Sequence, residues 1–196
     1  RSVSPREREE FRDIVSDATH AFSAIAAEKG VRLVVQSDDG PMPVIAHRDE
    51  MIQVAENLVS NALKYSKEGG QVILSFGIAS GMAEARLKAG QTWASSERMT
   101  LLPASSRPGT QERAIWMRVE DQGPGIEREH LPRLGERFYR ADQSRGGKIT
   151  GTGLGLAIVK HIMAHHRGGF SVETRIGEGT AFGVWLPAAR EEGLSD

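Results

Sequence analysis

Apolar residues in the opening segment fall on one helical stripe: Phe11, Ile14, Val15, Ala18, Phe22 and Ile25 recur at spacings of three and four. The spacing predicts an amphipathic helix over 5–29 that Gly30 stops. Val31-Arg32-Leu33-Val34-Val35 then reads as a strand, followed by the turn Ser37-Asp38-Asp39-Gly40-Pro41. A second helix is expected over 49–65, with Ile52, Ala55, Val59 and Ala62 on its apolar side. Alternation of Val72, Leu74 and Phe76 makes 71–78 a half-buried strand, and Ile115-Trp116-Met117-Arg118-Val119 is its partner. A third helix is predicted over 154–165, then strands over 170–174 and 180–186 around Gly177-Glu178-Gly179. Helices mixed with strands in this order predict a two-layer α/β sandwich of the α+β class.

Two stretches break the rhythm. The segment 77–113 is rich in Gly, Ser, Pro and isolated charges, with a short helical suggestion at Ala83-Glu84-Ala85-Arg86-Leu87-Lys88. It reads as a long insertion at a hairpin tip, species-specific decoration rather than a partner contact, for which Trp93 and Met99-Thr100-Leu101-Leu102 would be the sticky residues. Residues 123–152 are glycine-rich and charged, and read as a mobile loop with one or two helical turns. Composition narrows the chemistry. With 25 basic and 26 acidic residues, no overall field recruits nucleic acid or an anionic membrane. The absence of cysteine excludes disulfides, thiolate zinc sites and cysteine nucleophiles. No apolar run approaches a membrane span, and no signal-peptide pattern opens the chain. The start at Arg1 rather than Met leads us to expect a piece of a longer protein.

Three clusters carry chemistry. Asn57, Asn61 and Lys64 sit at i, i+4 and i+7 and share one face of the second helix. Amide oxygens suit Mg²⁺, which shares its sites with phosphate oxygens, and a lysine one turn on adds positive charge. A solvated polar helix face explains the same three residues. Asp121-Gln122-Gly123-Pro124-Gly125-Ile126 follows a strand. Its carboxylate could accept a hydrogen bond from an exocyclic amine, and its glycines let backbone approach a planar ligand; a plain turn needs no ligand. Gly151-Thr152-Gly153-Leu154-Gly155-Leu156 opens the third helix and offers N–H groups to an anion. It is neither a dinucleotide fingerprint nor a P-loop, because the glycines alternate and Gly147-Lys148 leads into Ile149.

Taken in order, Asn57-x-x-x-Asn61, Asp121-x-Gly123-x-Gly125, Phe138-Tyr139-Arg140 and Gly151-Thr152-Gly153-Leu154-Gly155-Leu156 resemble the N, G1, F and G2 boxes of sensor histidine kinases. Gly177-Glu178-Gly179-Thr180 is similar to the closing turn of the same ATP-binding domain, and some phosphate-starvation sensor kinases have a similar lid and end. The resemblance implies the fold shared with gyrase, Hsp90 and MutL: a mixed, mostly antiparallel sheet backed by about three helices, with a flexible ATP lid. It implies a linker helix over 1–30, an ATP-binding catalytic domain over 31–190 with the lid at 127–152, and a tail over 191–196. Asn61 would be the principal Mg²⁺ ligand, Asn57 its assistant, and Lys64 a phosphate contact. Tyr65 and Ile126 would line the pocket, and Asp121 would bind the adenine amine, with Gly123 and Gly125 against the base. Gly151, Gly153 and Gly155 would let the lid close on the phosphates, Leu154 and Leu156 would anchor its far hinge, and Thr152 would join them in binding the nucleotide. Phe138 would pin the lid, and Arg140 would stabilise charge on the transferring phosphoryl group. Deleting Ser80 to Gly109 from the insertion is expected to leave nucleotide affinity nearly unchanged.

Gyrase-type relatives place a water-activating glutamate at the first N-box position. This chain has Asn57 there, and Glu56 stands about 100° away around the helix. The resemblance therefore implies phosphoryl transfer from ATP-Mg to a histidine on a separate dimerisation domain, for relay to a response regulator receiver domain. None of the six histidines has the acidic-and-proline context of the acceptor: His20 is followed by Ala21-Phe22-Ser23-Ala24. His161 and His165 are spaced i, i+4, but Ile162 breaks the zinc-protease pattern; His165 and His166 are expected to sit charged against the helix dipole. The domain is expected to be cytoplasmic and monomeric alone, without nucleic-acid or membrane contact, from a parent anchored in the inner membrane. A different class of function is a nucleotide-binding pseudokinase, a regulatory interaction module that binds ATP without transfer.

Overall fold

The computed structural model describes residues 5–105, 112–139 and 155–190. Its centre is a six-stranded sheet in the order β2-β4-β6-β8-β7-β5. The strands are β2 (Arg32–Ser37), β4 (Gln71–Ala79), β5 (Glu97–Leu102), β6 (Ala114–Glu120), β7 (Gly169–Arg175) and β8 (Gly179–Pro187). Only β2 and β4 run parallel; every other pairing in this sheet is antiparallel. The α+β class and the mixed sheet are as expected.

One sheet face carries Val72, Leu74, Phe76, Ile115, Met117, Val119, Phe182 and Val184, all buried in the main core. Against it pack α1 (Phe11–His20), α3 (Arg48–Tyr65) and α5 (Gly155–His165). The stripe of α3 is wider than its sequence spacing suggested: Met51, Val54, Ala55, Leu58, Val59, Ala62 and Leu63 are buried, and Ile52 is only half-buried. That width leaves Asn57, Asn61 and Lys64 on the flank of a firmly packed helix.

The opening segment departs from the single helix predicted over 5–29. Glu7–Glu10 form β1, which pairs antiparallel with β3 (Pro43–Ala46), a strand that the sequence reading missed. Residues 5–10 carry no apolar stripe to lay on a core, so they pair as backbone instead. Helix α1 ends at His20, where Thr19 returns its hydroxyl to Val15 O at 2.9 Å. A separate helix, α2 (Ser23–Lys29), restarts with a new phase, so Ala26 is buried and Ile25 is 48% exposed. Gly30 closes it in the left-handed conformation, φ 71°. Phe11, Ile14, Val15 and Ala18 are all buried in the main core, so this segment is not a free-standing linker helix.

The segment between β4 and β6 is not loose decoration either. It contains α4 (Met82–Gly90) and β5, which joins the sheet edge along β7. Helix α4 covers the second sheet face, where Ala85 and Ala89 meet Ala79, Ala114 and Trp185. The approach is so close that a Cβ on Gly183 would lie 2.2 Å from Ala89 O. Beneath α4 lies a buried ion pair, Arg118 Nη2 to Glu173 Oε1 at 2.7 Å, with Glu173 fully buried. Glu173 also accepts from Thr92 N at 3.0 Å, Ser96 Oγ at 2.6 Å and Arg98 Nε at 2.8 Å. Burial opposes ionisation of Glu173, but these donors and the charge of Arg118 outweigh it and hold its pKa below the ordinary value. The sequence pattern could not show this, because a glutamate on a strand reads as an outward-facing residue.

The histidines also find places that spacing did not reveal. His166 Nδ1 donates to Ile162 O at 2.8 Å, and its Nε2 accepts from His47 N at 3.1 Å. Burial lowers the pKa of His166, so it is a neutral link between α5 and the start of α3, not a charge on the helix dipole.

Removing the Glu173 carboxylate takes away the fully buried counter-charge of Arg118 Nη2 and leaves only Glu120, 2.7 Å from its Nε, to balance the guanidinium. Glu173→Ala should lower the unfolding free energy by about 3–5 kcal/mol, measured by urea denaturation at pH 7. A change below about 1 kcal/mol would show that the pair does not hold the second face.

Candidate functional site

The helix α3 ends where β6 ends, and this meeting creates the site. Asp121 follows β6 directly and is 5% exposed. Its Oδ1 accepts from Gly123 N at 2.9 Å and from Thr180 N at 3.2 Å, while its own N–H donates to Thr180 O at 2.8 Å. Both donors land on one oxygen, and Oδ2 has no donor among the described residues. Desolvation dominates the two hydrogen bonds and pushes the pKa of Asp121 up from 3.8 to about 6, with the neighbouring Glu120 adding slightly. The group is ionised at neutral pH, but weakly solvated and short of a donor on one side. Such a carboxylate is a ready acceptor for an amine.

The loop after Asp121 is clamped on every side. A Cβ on Gly123 would lie 2.8 Å from Tyr65 O, so this glycine lets the end of α3 touch the loop. Gln122 Oε1 accepts from Gln71 N at 3.1 Å, which ties the loop to the start of β4. Gly125 has φ 78°, and its missing Cβ would sit 2.4 Å from Arg175 O, so any side chain is excluded twice. Ile126 N donates to Thr174 Oγ1 at 2.9 Å, and Gly177 N donates to Pro124 O at 2.7 Å. Thr174 and Thr180 share a hydrogen bond at 2.9 Å beneath this loop. The sequence reading assigned no role to Thr174, Thr180 or Gln122. Only Thr180 was within reach, as the last residue of the Gly177-Glu178-Gly179-Thr180 turn.

On α3, Asn57 Nδ2 donates to Gly155 O at 3.3 Å, which leaves its Oδ1 as the uncommitted atom and fixes the first residue of α5. Asn61 is half-buried and has no hydrogen-bond partner among the described residues. Two free amide oxygens one turn apart fit a hard divalent ion by their chemistry. Lys64 lies near Lys29, whose Nζ donates to Leu63 O; burial first, and the charge of Lys64 second, lowers the pKa of Lys29. Leu156 packs on the main core. Arg140, Gly151, Thr152, Gly153 and Leu154 lie outside the described residues.

Among the described residues Phe138 is 66% exposed, with φ 63°, and does not pack on the core. Its neighbour takes that place. Tyr139 packs on the core, hydrogen-bonds His130 Nδ1 through its hydroxyl, and lies under Arg133 at 4.2 Å. A cleft of about 130 Å³ on the opposite face, between α4 and β5, offers no competing chemistry. Its Arg98 is committed to Glu173, and a Cβ on Gly90 would be 2.4 Å from Ser171 Oγ, so that hydroxyl is shut off.

A raised carboxylate pKa favours the folded state when protonated. This contribution is complete below pH 3.8 and is lost as pH rises through about 6. A carbon-13 NMR titration should place the Asp121 midpoint near 6, and Asp121→Asn should flatten the fall in stability across that window. A midpoint near 4 would mean that water reaches the carboxylate.

Residues 46–190 match the family model described as histidine kinase-, DNA gyrase B- and HSP90-like ATPase. The sensor histidine kinase WalK of Bacillus subtilis (strain 168) is 30% identical over 165 residues, 84% of this chain and 22% of that protein. The phosphate regulon sensor protein PhoR of Pseudomonas aeruginosa is 34% identical over 133 residues, 68% of this chain and 23% of that protein. The chain thus spans about a quarter of the length of such curated relatives. Among solved structures, the catalytic domain of histidine kinase ThkA aligns with a TM-score of 0.66 at 19% identity, covering 93% of this chain and 95% of that one. Full-length ShkA in complex with AMPPNP aligns with a TM-score of 0.66 at 22% identity, covering 97% of this chain and 33% of that one. With three quarters of its length inside the family model, the chain belongs to the histidine kinase-, DNA gyrase B- and HSP90-like ATPases.

Proposed function

We propose that this chain is the ATP-binding catalytic domain of a sensor histidine kinase. It binds ATP with Mg²⁺ and transfers the γ-phosphoryl group to a histidine on a separate dimerisation domain. A response regulator receiver domain then takes the phosphoryl group. The observation that carries this reading is the buried Asp121 carboxylate, locked by Gly123 and Thr180 at the end of α3, with one oxygen lacking a donor. Asp121 accepts from the adenine amine, and the main chain at Gly123 and Gly125 lies against the base. Asn61 and Asn57 hold the metal ion, which neutralises phosphate charge when bound. Lys64 meets the phosphates, and Arg140 steadies the γ-phosphoryl group in a loose transition state that needs positioning and charge more than covalent help.

Asn57 supports transfer over hydrolysis. A glutamate at that position could activate water, whereas an amide bonded to Gly155 O cannot take a proton. Among the described residues no helix is long and apolar enough to cross a membrane. The sensor kinase names of the relatives, and their extra length, support a longer parent that works in the cytoplasm beneath a membrane sensor.

The test mixes the chain with the parent's dimerisation domain and γ-labelled ATP. The expected product is acid-labile, base-stable phosphate on the dimerisation domain, and Asn61→Ala should slow its formation at least about a hundredfold, a loss of roughly 2.7 kcal/mol in transition-state stabilisation. Tight Mg²⁺-ATP binding with no phosphohistidine would sink the kinase reading and leave a nucleotide-binding regulatory module.

A further inference from the structure

Three consecutive residues of β7 join the α4–β5 segment to the Asp121 loop. Glu173 accepts the N–H groups of Thr92 and Trp93, at 3.0 and 3.4 Å. Thr174 accepts the N–H of Ile126 from the other side. Arg175 does both at once. Its main-chain carbonyl is the surface on which Gly125 rests, and its guanidinium lies 4.6 Å from the ring centre of Trp93.

Trp93 is itself well fixed. Arg118 also lies over its ring, with Cζ 5.0 Å from the ring centre, and its carbonyl accepts from Arg98. Arg175 has few other restraints. Its Nε is 3.0 Å from Glu178 Oε2, but out of line for a hydrogen bond, and that nitrogen is buried without a hydrogen-bond partner. Beside the Glu178 ion pair, the indole therefore supports the side chain at the end of β7, two residues before Gly177 bonds Pro124. A further, exposed link runs from Glu97 on β5 to Arg128 at 3.6 Å.

We propose that Trp93 is a positioning residue for the adenine-binding loop: with the guanidinium groups of Arg118 and Arg175 over its ring, it braces the end of β7 against Gly125 and thereby sets the seat of the base. The inference rests on the reading of the Asp121 loop as the base-binding element. It reverses the expectation that the α4–β5 segment can be removed without effect on the site.

The experiment compares Trp93→Ala, Trp93→Phe and Trp93→Leu in this whole chain. ADP affinity is measured by calorimetry, the Asp121 carboxyl midpoint by carbon-13 NMR without nucleotide, and stability by urea unfolding. Loss of a cation–π stack should weaken ADP by about three- to tenfold in the alanine variant. The Asp121 midpoint should fall from about 6 towards 3.8 as the loop loosens and water enters. Phenylalanine keeps a π face and should restore both readouts. Leucine keeps apolar bulk without a π face and should not, which decides the matter if the alanine variant does not fold. Lower stability with unchanged ADP affinity and an unchanged midpoint would overturn the proposal, as would full rescue by leucine. If the unsubstituted chain bound no adenine nucleotide, the base-binding reading would fall instead, while the midpoint would still report on the brace.

Discussion

Asp121 receives its two main-chain donors from places far apart in the chain, Gly123 within its own loop and Thr180 at the start of β8. One carboxylate oxygen thus fixes the exit of β6, the β7–β8 turn and the end of α3, since Gly123 reaches its donor position only by lying on Tyr65. Burial disfavours the charge, and the pKa rises to about 6 because two N–H bonds fall short of water. The fold carries this penalty at neutral pH because antiparallel pairing at the ends of β6, β7 and β8 leaves the carboxylate no way out. On the proposed reading, an adenine amine would complete the missing solvation, so binding would relieve that cost.

The second sheet face solves a related problem with the opposite result. Glu173 is as deeply buried as any residue of the core, yet five polar groups meet it and its pKa goes down. A satisfied buried charge holds its surroundings, and an unsatisfied one waits for a partner. The two carboxylates sit on neighbouring parts of the sheet: Glu173 pairs in register with Ala181, and Glu120, one residue before Asp121, also pairs with Ala181 across β8. Structure and site are thus divided between adjacent positions of three strands.

Much of this was legible in the sequence where one period dominates. The helix α3, the strands β4 and β6, and the β7–β8 hairpin follow from clean spacing, and the order of the boxes identified the family. What spacing hid was every feature decided by long-range partners. Residues 5–10 pair with Pro43–Ala46 only because the chain returns there. Glu97–Leu102 form a strand because β7 presents an open edge, not because of any alternation of their own. Thr174 contacts the Asp121 loop from β7, Gln122 ties it to β4 from within, and Trp93 reaches it only through Arg175, and no local pattern marks these links. Phe138 shows the reverse error: its box position suggested an anchor, but Tyr139 has the His130 partner and the packing.

The site is uneven in a way that bears on catalysis. Around the base, Asp121, Gln122, Gly125 and Ile126 are each tied by main-chain or threonine contacts, so that end is preorganised. Towards the phosphates, Asn61 has no partner among the described residues, and Asn57 holds only one carbonyl at 3.3 Å. A rigid base seat lets binding energy from the adenine end be used to orient the far end, where charge develops. Under the proposed function, a phosphoryl group bound for a histidine on the parent's dimerisation domain would have to remain reachable from outside until that domain docks. Loosely tied amides on a firmly packed helix would meet this need, since the helix would fix where a metal ion could sit while the side chains adjust to the acceptor.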